Sequence, residues 1–351
     1  MKIKYVGYSP DLSHPADRRR VALVKNSSNF EILNCSDESY DLLVLSGNAN
    51  FCKEIEKSKG PVVIDLVDGY LNSTTKFHQN VLRNLLRTLF GKSRLRFITY
   101  TSHIRYALSM AEAVIVPSIE LAESVRPYCK NVFVIPDDHS ELRFEDPENT
   151  MILQDDSNMF MWEGFGSNLK HLFSIAPQLD ILLASGDYRL IIVSQQYFYR
   201  WGNALGKTSS LKQVRRFFPV SAHKVDFFEW TLEDIKRVAK SCKFSIIPIS
   251  EHDPFAALKS ENKLLSAWTM SLPAFVTPTG SYSRMLNQLE IRNLEISQDW
   301  LHTLKLALED KRDLKATRRK LLDYTRVYHS SESLREKWQL ALTSVIEGKN
   351  A

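Results

Sequence analysis

The sequence predicts an α/β protein made of two successive doubly wound units, each a parallel sheet with helices on both faces. Three observations carry this. Short apolar runs rich in β-branched residues recur in two series, at 3–7, 42–45, 62–66, 113–116 and 132–135, then at 159–162, 190–193, 224–228, 244–249 and 274–277. Stretches of helical spacing or composition separate them, which is the order of parallel strands joined by helical crossovers. A polar segment with two prolines, 136–149 (PDDHSELRFEDPEN), divides the two series as a linker does.

Taken in order, the first run follows an opening, MKIKYVGYS, that is too short and too polar for the core of a secretory leader. Runs 42–45 and 113–116 are apolar at every position and 62–66 at all but Asp65, the pattern of strands covered on both faces. Run 132–135 closes the first series. In the second series, 159–162 leads into a glycine-containing loop and 244–249 into a polar one. Residues 321–346 read as one or two helices with no strand after them. The expected organisation is a Rossmann-like domain over 1–140, a linker over 141–150, a second Rossmann-like domain over 151–325, and a helix over 326–351 that packs back on the first domain.

The chain has 351 residues, 44% hydrophobic and 25% charged, which excludes a disordered or fibrous protein. No apolar run approaches the ~18 residues of a spanning helix. Cys35, Cys52, Cys129 and Cys242 are far apart and form no CxxC, so neither a disulfide framework nor a zinc site is expected, and a reducing cytoplasm is the expected compartment. The net charge of +5 is too mild to imply nucleic acid. Its placement is uneven: residues 69–111 contain no Asp or Glu but hold Lys76, Arg83, Arg87, Lys92, Arg94, Arg96 and Arg105. Within this stretch Val81/Leu82, Leu85/Leu86 and Leu89/Phe90 recur every four residues, one face of a helix. Region 76–105 is either a basic patch for an anionic membrane or acceptor, or an ordinary packed helix with a solvated basic edge.

Open parallel sheets bind ligands beyond the carboxyl ends of their strands, so residues just after strands weigh most. After 244–249 comes a helix start with Lys259 ahead of it, Ser260 as N-cap and Glu261 and Asn262 in the first turn. Free N–H groups beside a lysine make an anion site, and Glu261 can accept from ribose hydroxyls; the alternative is a solvated helix start. After 159–162, Gly164, Phe165 and Gly166 form a loop that allows close backbone approach, and Asn168 can cap the helix that follows. Gln195 and Arg200 follow the next strand, Arg200 as a phosphate cation or as a surface residue among aromatics. Glu229 and Trp230 follow the next, Trp230 as a stacking platform or as core. In the first unit His14, Asp17 and Arg18 follow strand one. Asp68 follows 62–66 and can act as a base toward an acceptor hydroxyl. His103 follows a strand-like FITY. The strict GxGxxG fingerprint and the P-loop are both absent, which argues against a dehydrogenase or an NTPase.

Residues 244–285 resemble the donor segment of GT-B glycosyltransferases, in particular the retaining family-four (glycosyl transferases group 1) enzymes of bacterial surface-polysaccharide synthesis. The likeness rests on PIS at 248–250, DPFA at 253–256, KSENKLL at 259–265 and SLPAFV at 271–276. It implies two domains facing a cleft and a nucleotide-sugar donor with UDP or GDP as carrier. It further implies a glycan or lipid-linked acceptor, no metal or other cofactor, and retention at the anomeric carbon. It places Asp253, Lys259, Asp68 and His14 in catalysis. Gly164, Phe165, Gly166, Asn168, Gln195, Arg200, Glu229, Trp230, Lys259, Ser260, Glu261 and Asn262 fall at the donor, and Asp17, Arg18, Asp68 and His103 on the acceptor side. The family pairs two glutamates with seven residues between them. Asp253 and Glu261 have that spacing, but alignment on Leu272–Pro273 puts the second glutamate at Ser266 and the first at Leu258. A catalytically inactive nucleotide-binding relative and a nucleotide-sugar 2-epimerase are the alternatives. The expected location is cytoplasmic, at the inner face of the membrane if region 76–105 docks there.

Overall fold

The computed structural model describes residues 1–25, 29–33, 39–47, 49–71, 76–94, 96–199, 206–250, 253, 258–309 and 314–348. The chain forms two compact units. The first comprises Met1–Asp138, Pro254–Asn262 and Tyr328–Ala351; the second comprises His139–Asp253 and Lys263–Val327.

The first unit holds strands β1 (Lys2–Val6), β2 (Glu31–Leu33), β3 (Leu42–Ser46), β4 (Val62–Asp65), β5 (Ala113–Val116) and β6 (Val132–Val134), in the spatial order β2-β1-β3-β4-β5-β6. Every neighbouring pair is parallel. Alternate residues feed opposite apolar layers, as the two-residue period requires. Leu43, Leu45, Ile64, Val114 and Val116 lie in one layer, and Leu42, Val44, Val63, Ala113 and Ile115 in the other. The second layer is completed by Leu334, Trp338, Ala341 and Leu342 of the helix Ser331–Ile346. At its polar end Arg20 is fully buried. Its guanidinium reaches Asp65 (Nε to Oδ2, 2.8 Å), Asp137 (2.9 Å) and the Ile135 carbonyl (2.9 Å), and it lies 5.4 Å from the Trp338 ring.

The second unit holds β7 (Met159–Glu163), β8 (Arg189–Ser194), β9 (Tyr197–Tyr199), β10 (Lys207–Ser209), β11 (Val225–Glu229), β12 (Phe244–Ile247) and β13 (Ala274–Val276). Its main sheet is parallel, in the order β11-β8-β7-β12-β13. β9 and β10 form a separate antiparallel hairpin. β2, β9 and β10 go beyond the sequence reading: unlike the equally short β6 and β13 they contain no buried position. The ten expected strands are all present, and the two parallel sheets give the α/β class that the sequence predicts.

Three local features differ from expectation. Region 141–150 is structured: a short 3-10 turn spans Ser140–Leu142, and the helix Pro147–Asp155 starts at proline, with the Asp146 side chain accepting from the Asn149 N–H. Asn168 makes no side-chain capping hydrogen bond, because a 3-10 turn over Gly166–Asn168 delivers the chain into the helix Leu169–Phe173. The helix Phe77–Leu89 is inside out with respect to its leucines. Asn80 and Asn84 are its buried residues, while Leu85 is 45% and Leu89 73% exposed. Asn84 Nδ2 donates to the Phe97 carbonyl (2.5 Å), its Oδ1 accepts from Ser93 Oγ (2.5 Å), and Asn80 Nδ2 donates to Thr101 Oγ1 (2.6 Å). Buried polar groups are satisfied there, so the apolar residues are left outside. The basic stretch is also partly neutralised in space, since Arg94 and Arg96 both pair with Glu56.

Candidate functional site

In the second sheet β7 is flanked by β8 on one side and β12 on the other. The chain winds outward in both directions from this pair, so the carboxyl ends of β7 and β12 form the switch-point crevice where parallel sheets bind ligands. Glu163 and Gly164 leave β7 there. The Lys263 amine donates to the Glu163 carbonyl (2.8 Å) and lies 4.8 Å from the Trp162 ring centroid. A Cβ on Gly164 would stand 2.5 Å from Lys263 Nζ and 3.1 Å from the Trp162 ring, and its φ of 159° is one that side-chain-bearing residues rarely adopt, so glycine suits this position. The Gly164 carbonyl accepts from Ser194 Oγ (2.7 Å). The Trp230 N–H donates to the Ser194 carbonyl (2.9 Å), and its indole Nε1 donates to Glu163 Oε2 (3.3 Å). The Gly166 N–H donates to Gln195 Oε1 (3.4 Å), and a Cβ on Gly166 would stand 2.6 Å from the Phe198 ring. The structure therefore gathers Gly164, Gly166, Gln195 and Trp230 into one cluster. Phe165 and Glu229 lie exposed beside it. Arg200 lies outside the described residues.

Lys263 is the residue that sequence reasoning passes over. The sequence shows only its place in KSENKLL, one residue into the helix Asn262–Thr269; its contact is with the loop after β7. Lys259, Ser260, Glu261 and Asn262 belong instead to the first unit. Leu258 packs on its apolar layer, and Asn262 Oδ1 accepts from the Asp137 N–H (3.4 Å). Glu261 is buried in the turn before the helix. Ser266 is buried within the helix among Leu265, Ala267 and Trp268.

Asp253 is also buried, with its carboxylate 3.3 Å from His171 Nε2 and 3.6 Å from Lys170 Nζ. His171 Nδ1 accepts from the Ser250 N–H (3.1 Å), which leaves Nε2 to carry the proton toward Asp253. The pair ties the loop after β12 to the helix that follows the glycine loop. Pro254, Phe255 and Ala256 lie outside the described residues.

In the first unit the switch point falls between β1 and β3. Tyr8 follows β1 and fills the space over Gly47, where a Cβ would stand 2.1 Å from its ring. His14 stacks on Tyr8 (4.8 Å, 13°) and its Nδ1 accepts from the Ala16 N–H (3.2 Å). Its pKa is lowered by burial against the opposing charge of Asp17. Asp17 is fully buried and accepts from the backbone N–H groups of Tyr8 (2.9 Å) and Ser9 (2.9 Å). These bonds fix the shape of the loop after β1. Arg18 sits half-buried on the helix Pro15–Lys25. Asp68 is exposed beyond β4 and accepts from Tyr70 Oη (3.0 Å). His103 is a correction: at 0% exposure it lies in the core, stacked on Tyr100 (5.7 Å), edge-on to Phe97 (5.2 Å) and 3.4 Å from Cys52 Sγ.

Two cavities stand out. One of about 280 Å³ is lined by Asp68, Tyr70, Arg83 and Arg87. The larger, about 460 Å³, is lined by Met159 and Arg189 at the amino ends of β7 and β8, away from the glycine loop. Among the described residues no group of three or more His, Cys, Asp or Glu is placed to hold a metal ion. Cys52, Cys129 and Cys242 are buried free thiols, and Cys35 lies outside the described residues. No helix among the described residues is long and apolar enough to cross a membrane.

No family model matches the sequence, and no curated protein does. Solved structures do match. A structure of Anabaena Alr3699/HepE in complex with UDP superposes with a TM-score of 0.64 at 13% identity, over 98% of this chain and 100% of that one. WaaG, a glycosyltransferase involved in lipopolysaccharide biosynthesis, gives 0.58 at 12% identity, over 99% and 100%. TarM gives 0.57 at 10% identity over 86% of this chain, which spans 55% of the TarM chain. At identities this low the superpositions show a shared fold alone, the GT-B glycosyltransferase fold.

Proposed function

We propose that the chain is a glycosyltransferase that moves a sugar from a UDP- or GDP-linked donor to a glycan or lipid-linked acceptor, with retention and without a metal ion. One observation carries the donor assignment. At the switch point of the second sheet the Lys263 ammonium is held at the Glu163 carbonyl beside Gly164, a position that carries no side chain, so a diphosphate beyond the strand end meets cation and backbone together. The resemblance of 244–285 to the retaining group and the superposition on a UDP complex support the same reading.

Breaking the anomeric bond places negative charge on the departing diphosphate. Lys263 is fixed before the reaction and stabilises that charge as it develops. Gln195 and the indole edge of Trp230 flank the same loop and bound the nucleotide. Asp253 acts as a positioning residue: His171, on the glycine-loop helix, meets both Asp253 and the Ser250 N–H. The first unit supplies the acceptor side, with Asp68 as the accessible carboxylate. We propose further that the exposed leucine face of Phe77–Leu89, within a stretch without acids, meets an anionic bilayer.

The test is thermal stabilisation by UDP, GDP, ADP, CMP and dTDP, with wild type, Lys263→Ala and Lys259→Ala. A ligand at a hundredfold excess over Kd adds about 2.7 kcal/mol of stability. One nucleotide is expected to stabilise wild type and Lys259→Ala while Lys263→Ala loses most of the shift. A loss confined to Lys259→Ala would move the diphosphate away from the glycine loop. Incubation of the stabilising nucleotide's sugar conjugates with acceptors then separates the reaction classes. Transfer supports the proposal, an epimerised sugar nucleotide replaces it with the epimerase reading, and nucleotide binding without turnover leaves an inactive relative.

A further inference from the structure

We propose that the cavity bounded by Asp68, Tyr70, Arg83 and Arg87 in the first unit is an anion site that takes a phosphate group. Arg83 and Arg87 stand one turn apart on the helix Phe77–Leu89, an arrangement in which like charges repel unless an anion joins them. The Arg87 guanidinium is locked in place, 4.3 Å from the Tyr100 ring centroid and 5.6 Å from that of Tyr70. Its Nη1 is buried and makes no hydrogen bond among the described residues. A buried guanidinium N–H without an acceptor is costly, and a phosphate oxygen is the acceptor that suits its planar fork. The one carboxylate in the lining, Asp68, already accepts from the Tyr70 phenol. Two cations against one anion leave the cavity positive. Its volume of about 280 Å³ admits a phosphate with a short organic substituent. Burial, with the neighbouring charge of Arg87, pushes the Arg83 pKa down against the opposing pull of Tyr70, Tyr100 and Asp68.

Within the glycosyltransferase reading this site names a class of acceptor: one with a phosphate near the hydroxyl that faces Asp68. The binding itself does not depend on that reading. The probes are inorganic phosphate, glycerol phosphate, and vesicles of phosphatidylglycerol in phosphatidylcholine. They are applied to the full chain as wild type, Arg87→Gln, Arg83→Gln and Lys263→Ala, with binding read by thermal shift and by calorimetry. Phosphate is expected to bind wild type and Lys263→Ala equally, and each arginine variant at least tenfold more weakly. Arg83→Gln serves as a second, independent variant if Arg87→Gln does not fold. Equal binding by the arginine variants, or binding abolished by Lys263→Ala, would overturn the site. A response to glycerol phosphate assigns it to soluble phosphorylated acceptors, and a response to vesicles alone assigns it to a lipid headgroup. Silence from all three probes overturns it. Nucleotide binding without phosphate binding in this cavity leaves the donor reading standing and removes only this proposal.

Discussion

His103 shows how one side chain links packing to pH. Burial, reinforced by the charges of Arg87, Arg96 and Arg94, pushes its pKa down to about 4, against an ordinary value of about 6.5. Between those two values the unfolded chain binds a proton at this imidazole and the folded chain does not. Stability therefore falls as pH drops through that window and is flat with respect to this group above it. His329, held down to about 4 by burial and by Lys337, adds a second slope of the same sign. Urea unfolding at about pH 5 and about pH 7.5 is expected to show a smaller difference in His103→Gln than in wild type. An unchanged difference would mean that the folded chain protonates His103 freely. The same residue marks a limit of legibility. A histidine after a strand-like run looks like a site residue, and only the aromatic cage of Phe51, Phe97 and Tyr100 around it shows that it is core. Lys263 is the opposite case. Its role comes from a loop about 100 residues earlier in the chain, a contact that no local spacing encodes.

At the scale of the element, the helix Phe77–Leu89 separates two kinds of information. Its four-residue apolar period reports that a helix forms, but not which face turns inward. That choice is made by polar groups at Ser93, Phe97 and Thr101, which offer Asn84 and Asn80 the hydrogen bonds a leucine cannot make. Asn84→Leu is therefore expected to destabilise by about 1–3 kcal/mol, because it strands the Phe97 carbonyl and the Ser93 hydroxyl. Leu85→Ser with Leu89→Gln should change stability by no more than about 0.5 kcal/mol each, as exposed substitutions do. If the face meets a bilayer, the same double variant loses sedimentation with anionic vesicles while keeping nucleotide binding. Retained sedimentation would remove the membrane contact. Strands were legible for the reason this face was not: β3, β4 and β5 are buried at every position, so their sequence carries no alternative orientation.

At the scale of the molecule, the first unit is discontinuous. Its sheet is complete by Val134, yet one apolar layer is closed by a helix that begins at Ser331. Trp338 in that helix is fully buried and lies against Arg20, whose charge is held by Asp65 and Asp137. Loss of the indole removes apolar burial and also opens a path for water to a buried ion cluster, where desolvated charges depend on their partners. Trp338→Ala is expected to cost about 3–5 kcal/mol, the range for large aromatic truncations in a core. The cost should be local, because the layers of the second unit are built from other segments. Native-state hydrogen exchange is the measurement that separates local from global loss. Amides of β1, β3 and β5 should exchange much faster in the variant, while those of β7, β8 and β12 keep their protection. A uniform rise in both units would show that they unfold as one body, and that the C-terminal helix stabilises the whole chain rather than the sheet on which it lies.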